Sequence, residues 1–218
     1  MITSQIDFTN FKIKKKYPRI RSILNKITKN KNEVIKSLSK NYKDVFSNDL
    51  VKKYKKTSDF RIIGMGGSSL GANSIYDFLN KKINKNFSFI NNLQADKNKK
   101  IKKNYTNLII SKSGNTIETI INSNLLINKN DKNIFITENK KNYLHILAEK
   151  LKADIVHHND YIGGRYSVLS EVGMLPAELM GLNSRKFRQF NALIENKKFL
   201  NALILNVGSI FNLIKKKK

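Results

Sequence analysis

From residue 59 onward, short apolar runs alternate with stretches whose apolar positions fall at helical spacing. The runs are 60–63, 87–91, 107–110, 133–137 and 154–157. Each has the length of a buried strand and is bounded by polar or turn-forming residues. Between and after them the spacing predicts helices near 69–81, 95–103, 116–128 and 140–151. Alternation of this kind predicts an α/β fold, a doubly wound parallel sheet with helices on both faces. On such sheets ligands sit at the carboxyl ends of the strands, around the point where strand order reverses. The loops that follow the strands are therefore where chemistry is expected.

The flanks read differently. Residues 1–57 are polar and basic, with sparse apolar positions at helical spacing. Ile20, Ile23, Leu24 and Ile27 share one face, and Val34, Ile35 and Leu38 another; Pro18 is placed to open the first helix. Beyond Leu175-Pro176 the pattern predicts helices over 185–195 and 198–214. The last is apolar round most of its circumference, which predicts burial. It ends at KKKK with no further residues to cover it. The chain thus divides into a helical segment 1–57, an α/β domain 58–182 and C-terminal helices 183–218.

Three loops carry candidate chemistry. The first is IIGMGGSSLGA, residues 62–72. Gly64, Gly66 and Gly67 let the backbone turn sharply and lie bare. Ser68 and Ser69 fall at the first turn of the next helix, where unpaired N–H groups make an anion site. A P-loop would need Lys and then Ser or Thr after its last glycine, but Gly71 is followed by Ala72 and Asn73. A dinucleotide fingerprint starting at Gly64 would need glycine where Ser69 stands, and the next strand closes on Asn91 and Asn92 rather than an acid. On this stretch alone, a purely structural turn stays open.

The second loop is SKSGNTIET, residues 111–119. It offers the hydroxyls of Ser111, Ser113 and Thr116, the cation of Lys112 and a run of backbone N–H groups, which suits the three oxygens of a phosphate monoester. The alternative is an ordinary helix start capped by Thr116. The third loop is HHNDYIGGRYSVLSEVG, in which Gly163 and Gly164 precede Arg165. That placement makes Arg165 a candidate partner for a buried anion. His157 and His158 point to opposite faces of a strand and read as structural. His145 and Glu149 are four apart on a helix, but two ligands do not make a metal site.

Composition narrows the classes. The chain has 218 residues, 40% of them hydrophobic, enough for a sizeable core. It has no cysteine, which excludes disulfides and thiolate metal sites. The start MITSQIDFTN has no signal pattern, and Asn201, Asn206, Ser209 and Asn212 interrupt the longest apolar stretch. A soluble, cytoplasmic protein without a membrane partner is expected. The net charge of +26 would point to nucleic acid. The lysines are scattered, however, and accompany abundant Asn and Ile, as an AT-rich coding sequence produces. With no nucleic-acid module present, no specific nucleic-acid partner is expected, only weak anion affinity at low salt.

In this order, GMGGSSLG, SKSGNTIET and GGRYSVLSEVG resemble the signatures of the phosphoglucose isomerase family over about residues 55–185. The resemblance implies a sugar-isomerase (SIS) domain whose loops bind a sugar phosphate. It assigns phosphate binding to Ser68, Ser111, Lys112, Ser113 and Thr116. It makes Gly66, Gly67 and Gly164 the bare backbone of the substrate loops, and Arg165 the group that stabilises an enediolate. Gly114 and Asn115 depart from the commonest form of the second loop without removing a needed hydroxyl. The implied activity is that of a glucose-6-phosphate isomerase. It interconverts glucose 6-phosphate and fructose 6-phosphate through a cis-enediolate, in glycolysis and gluconeogenesis, with no metal or organic cofactor and as a homodimer. In the family the general base and the ring-opening histidine and lysine lie in a second half, and no counterpart is found here. Glu171 and Glu178 follow the arginine too soon to be that base. The resemblance therefore implies the front half of the enzyme, inactive alone. The alternative is a non-catalytic sugar-phosphate-binding or regulatory SIS domain.

Overall fold

The computed structural model describes residues 16–29, 33–93, 104–128, 130–188 and 195–216. The helix expected over 95–103 lies outside these residues, as do 189–194 of the helix expected over 185–195. Five strands form: β1 (Asp59–Ile63), β2 (Asn86–Ile90), β3 (Thr106–Ile110), β4 (Lys132–Glu138) and β5 (Asp154–His158). They make one sheet in the order β2-β1-β3-β4-β5. Every pairing is parallel. The order reverses between β1 and β3, which lie side by side with Ile62 opposite Leu108. Helices α1 (Pro18–Lys29), α2 (Glu33–Ser37) and α3 (Asn48–Lys53) precede the sheet. The helices α4 (Leu70–Leu79), α5 (Ile117–Leu126) and α6 (Tyr143–Lys150) alternate with its strands, and α7 (Glu171–Leu179) and α8 (Lys197–Lys216) follow it.

Both faces of the sheet are covered, so its strands read as continuous apolar runs. On one face Phe60 stacks on Phe87 at 4.8 Å, and Tyr76 of α4 tilts against Phe87 and Phe89. On the other, Ile63, Ile109 and Phe135 pack with Leu144 and Ala148 of α6. The fold is the doubly wound α/β sheet that the alternating pattern predicts.

Helix α7 is the element the sequence pattern does not reveal. It runs through Pro176 and buries every residue except Glu178. A helix apolar on all sides shows no period, and a proline reads as a break. Ser170 caps its start by accepting from the N–H of Val172. Over 185–195 the described part is a 3-10 turn, Ser184–Phe187.

The chain forms two compact units, one of residues 43–184 and one joining the segment up to Tyr42 to the segment from Arg185 onward. In the second unit α1 and α8 pair closely. A Cβ at Gly208 would meet the Tyr17 ring at 2.5 Å, and Asn212 donates to the Tyr17 hydroxyl at 2.8 Å. The expected burial of the last helix is only partial. Ala202, Ile204 and Gly208 are buried, while Ile210, Phe211, Leu213 and Ile214 are exposed. Among the described residues nothing covers that apolar side, and no helix is long and apolar enough to cross a membrane.

One polar network lies within the sheet. Arg61 donates through Nε to Asn107 at 2.8 Å and pairs with Asp131 at 3.2 Å, with both side chains buried. Asp131 also accepts from Asn107, from the Tyr105 N–H and from the Asn128 N–H. A buried charge is tolerated when paired and hydrogen-bonded, and removing one partner strands the other. Asp131→Ala is therefore expected to destabilise the protein by about 3–5 kcal/mol. Asp49→Ala, which breaks an exposed pair with Lys52, should leave the urea midpoint nearly unchanged. Equilibrium urea unfolding of the two variants checks this.

Candidate functional site

The first loop leaves the carboxyl end of β1. Gly64 donates its N–H to Ile90 O at 3.1 Å, and a Cβ on it would lie 2.9 Å from Ile110 O. Gly66 adopts φ +54, a left-handed conformation suited to glycine. The 3-10 turn Gly66–Ser68 then leads into α4. The half-buried hydroxyl of Ser68 has no hydrogen-bond partner among the described residues. Ser69 holds the N-cap position of α4 without making a capping bond, and its buried Oγ has no partner there either.

The second loop leaves β3, next to β1. Ser111 is 2% exposed, and its Oγ lies 2.8 Å from the Thr116 hydroxyl. Thr116 occupies the N-cap of α5 yet makes no capping bond. The reading of Thr116 as an ordinary cap therefore fails. Its hydroxyl is turned back towards Ser111. In the same first turn the buried Thr119 Oγ1 is also without a partner among the described residues. Gly114 sits at φ +66, and a Cβ there would fall 1.9 Å from Asn142 Oδ1.

The start of α6 braces this loop. Asn142 accepts from the His145 N–H at 2.9 Å and donates to Thr137 Oγ1 and Lys140 O. Asn115 Oδ1 accepts from the Tyr143 N–H, and Gly114 O accepts from the Leu144 N–H. Lys112 is engaged as well. Its ammonium lies 3.4 Å from Glu138 Oε1 and donates to Asp160 O, while its carbonyl accepts from the Glu138 N–H. Ser113 is exposed, and its Oγ accepts from the Asn115 N–H.

The third loop follows β5 and reaches the first. A Cβ on Gly67 would fall 2.2 Å from Gly164 O, so the two backbones touch. Ser167 Oγ lies 2.8 Å from Gly164 O and 3.1 Å from Gly67 O, bridging them. Val168 fills the space left by Gly71 and Gly173. Arg165 lies on the 3-10 turn Gly164–Leu169. It is exposed rather than buried, and it has no ion pair among the described residues.

Behind this loop Glu171 and His158 form a buried pair, Oε1 to Nδ1, at 2.5 Å. Glu171 Oε1 also accepts from the Asn159 N–H at 2.8 Å, and His158 Nε2 faces Ile162 O at 3.0 Å. Burial pushes the Glu171 carboxyl up, but the bonds from His158 and the backbone outweigh it and hold it below its ordinary value of 4.5. His157 instead stacks on His145, and no cluster of three metal-ligating side chains exists among the described residues.

The helix starts differ in a telling way. At α3, α6 and α7 a side chain from Ser47, Asn142 or Ser170 accepts from a first-turn N–H. At α4 and α5 none does. These two open starts follow the two adjacent strands at the reversal of strand order. Each presents N–H groups and the positive end of a helix dipole, with hydroxyls alongside.

The profile of the phosphoglucose isomerase family matches residues 18–206. The chain belongs to the phosphoglucose isomerase family. Among curated relatives, the glucose-6-phosphate isomerase of Methanocaldococcus jannaschii is 34% identical over 185 residues, covering 76% of this chain and 45% of that one. That of Acholeplasma laidlawii is 35% identical, over 63% of this chain and 37% of its own. That of Borreliella afzelii is 31% identical, over 71% and 36%. The chain thus spans less than half the length of these phosphoglucose isomerases. A crystal structure of a hypothetical protein from Thermus thermophilus shares the fold, with a TM-score of 0.63 at 20% identity, covering 90% of this chain and 52% of that one.

The bracing by Asn142 and Ser167, and the partner of the structural His158, escaped the sequence reading. Asn142 meets Gly114, and Ser167 meets Gly67, from far along the chain. Two outcomes follow. Gly67→Ala forces a methyl against backbone and is expected to destabilise by about 1–3 kcal/mol. Gly163→Ala, which meets nothing within 4 Å, should be tolerated; urea midpoints compare them. Because Glu171 is held low, the stability it contributes is fully present above pH 4.5 and is lost as pH falls through its lower folded value. Glu171→Gln should therefore be less stable than the parent at neutral pH, and its stability should fall less below pH 4.5. Unfolding curves at a series of pH values read this directly.

Proposed function

We propose that these residues are the sugar-phosphate-binding and charge-stabilising part of a glucose-6-phosphate isomerase. The observation that carries the reading is the pair of uncapped helix starts at the carboxyl ends of β1 and β3. Each carries a buried hydroxyl with no partner among the described residues, Ser69 at the N-cap of α4 and Thr119 in the first turn of α5. Buried polar groups are rarely left unpaired, and a ligand oxygen or a bound water satisfies such sites. In this reading a phosphate monoester takes N–H groups from both helix starts and hydroxyls from Ser68, Ser111, Ser113 and Thr116. Lys112, already held by Glu138, adds positive potential more than a direct bond. Gly66, Gly67 and Gly164 keep the backbone close enough for N–H contact.

The reaction is the interconversion of glucose 6-phosphate and fructose 6-phosphate. A carboxylate takes the C2 proton of the open-chain sugar and returns it at C1, through a cis-enediolate. The exposed guanidinium of Arg165 is available to that developing negative charge. Phosphate binding supplies energy away from the reacting carbons. Two of the carboxylates beside these loops are already engaged. Glu171 is buried against His158 and Asn159, and Glu138 pairs with Lys112 and Lys140. The resemblance supplies a base from a further half, and with it a cytoplasmic homodimer. The engaged state of both carboxylates equally favours a second reading, a non-catalytic sugar-phosphate-binding domain.

The purified chain is expected to bind glucose 6-phosphate and fructose 6-phosphate weakly in a calorimetric titration. A double Ser111→Ala, Thr116→Ala variant loses two hydrogen bonds to a charged phosphate, each worth about 1.5–3 kcal/mol, and should bind more weakly by roughly a hundredfold or more. Turnover should be small, since a positioned base commonly contributes ~10² to 10⁴ in rate. Turnover equal to that of a full-length relative would place a base within these residues. Unchanged binding by the double variant would remove the phosphate site from these loops. In a complete enzyme, Arg165→Ala should lower kcat more than it raises KM.

A further inference from the structure

The amino ends of the strands, opposite the loops above, form a second concave surface. An open cavity of about 700 Å³ lies there, lined by Lys52, Lys53, Lys55, Lys56 and Lys132. Lys52 and Lys53 pair with Asp49 and Asp154. Lys55, Lys56 and Lys132 are exposed and make no ion pair among the described residues. The acid in the lining is Asp59. It already accepts from Ser58 Oγ at 2.7 Å and Asn86 Nδ2 at 2.9 Å. The neighbouring guanidinium of Arg61 is committed to Asp131.

Positive charge is crowded here rather than merely abundant. Lys85, whose ammonium lies 5.3 Å from the Phe60 ring centre, is held below its ordinary value by burial and by the charge of Lys55. A drift of composition explains many lysines along a chain. It does not explain their convergence from the end of α3, the approach to β1 and the start of β4 onto one cavity. Thr57, Ser58 and Asn130 in the lining add uncharged polar groups beside the lysines.

We propose that this cavity is an oligophosphate site, taking an anion with three or more contiguous phosphates, either free or as the tail of a nucleotide. Several closely spaced negative charges match several unpaired ammonium groups, and a monophosphate would engage only part of the lining. The site lies at the other end of the strands from the sugar-phosphate loops and does not depend on how those loops function.

The test is calorimetric titration of the purified protein with tripolyphosphate at ~0.15 M salt, where long-range effects are screened beyond ~8 Å. The triple variant Lys55→Gln, Lys56→Gln, Lys132→Gln is compared with a control triple of equal charge loss outside the lining, Lys82→Gln, Lys150→Gln, Lys152→Gln. All six side chains are exposed, and a single Lys132→Glu variant guards against misfolding of the triple. The cavity triple is expected to bind about tenfold more weakly, as three exposed charge contacts allow. The control triple and the Ser111→Ala, Thr116→Ala double should bind as the parent does. Equal affinity for a nucleoside triphosphate, with none for the nucleoside, assigns recognition to the phosphate tail. Tighter binding of tripolyphosphate alone assigns the free anion. The proposal is overturned by equal weakening in both triples, by no saturable binding, by inorganic phosphate binding as tightly, or by affinity that keeps growing with the length of a single-stranded oligonucleotide.

Discussion

Two backbones touch at Gly67 and Gly164, and the candidate site exists because nothing stands between them. A side chain at Gly67 would overlap the Gly164 carbonyl, and one at Gly64 would press on Ile110 O. Gly71 and Gly173 extend the same economy by admitting Val168 between α4 and α7. Four positions without a Cβ therefore gather three loops that leave different strands. The consequence is chemical as well as steric. With side chains removed, N–H groups at the start of α4 are left bare, and hydroxyls decide what they face. Ser167 locks the contact by bridging the carbonyls of both glycines.

The strands were legible because burial on both faces writes each as a short apolar run, 60–63 and 107–110 most plainly. Their order was not, since a run of Ile and Leu says nothing about its neighbour. That β1 lies beside β3 emerges only in the pairing of Ile62 with Leu108. The glycine and hydroxyl loops were legible as motifs, but the direction of each hydroxyl was not. Thr116 could have capped its helix, and the structure turns it to Ser111 instead. Arg165 was legible as a candidate anion partner, but its exposure was not: its 3-10 turn buries Ser167 and Leu169 and leaves Arg165 outside. The Asn142 brace was beyond reach, since only the fold brings the start of α6 against the φ +66 backbone of Gly114.

Two ends of one sheet handle charge in opposite ways. At the carboxyl ends, positive potential comes from peptide dipoles and is spread over N–H groups that cannot titrate. Of the ions near those loops, Lys112 is tied to Glu138 and Glu171 to His158, while Arg165 has no ion pair among the described residues. Within the sheet, the buried charges of Arg61 and Asp131 pair inside a ring of amide bonds. At the amino ends the lysines of 52–56 and Lys132 stand in water with few partners. A net charge of +26 therefore says little by itself. What an anion meets depends on whether positive charge is bound in a neutral frame of hydroxyls and N–H groups, which selects by geometry. Where it stands free on flexible stems, it selects by charge density.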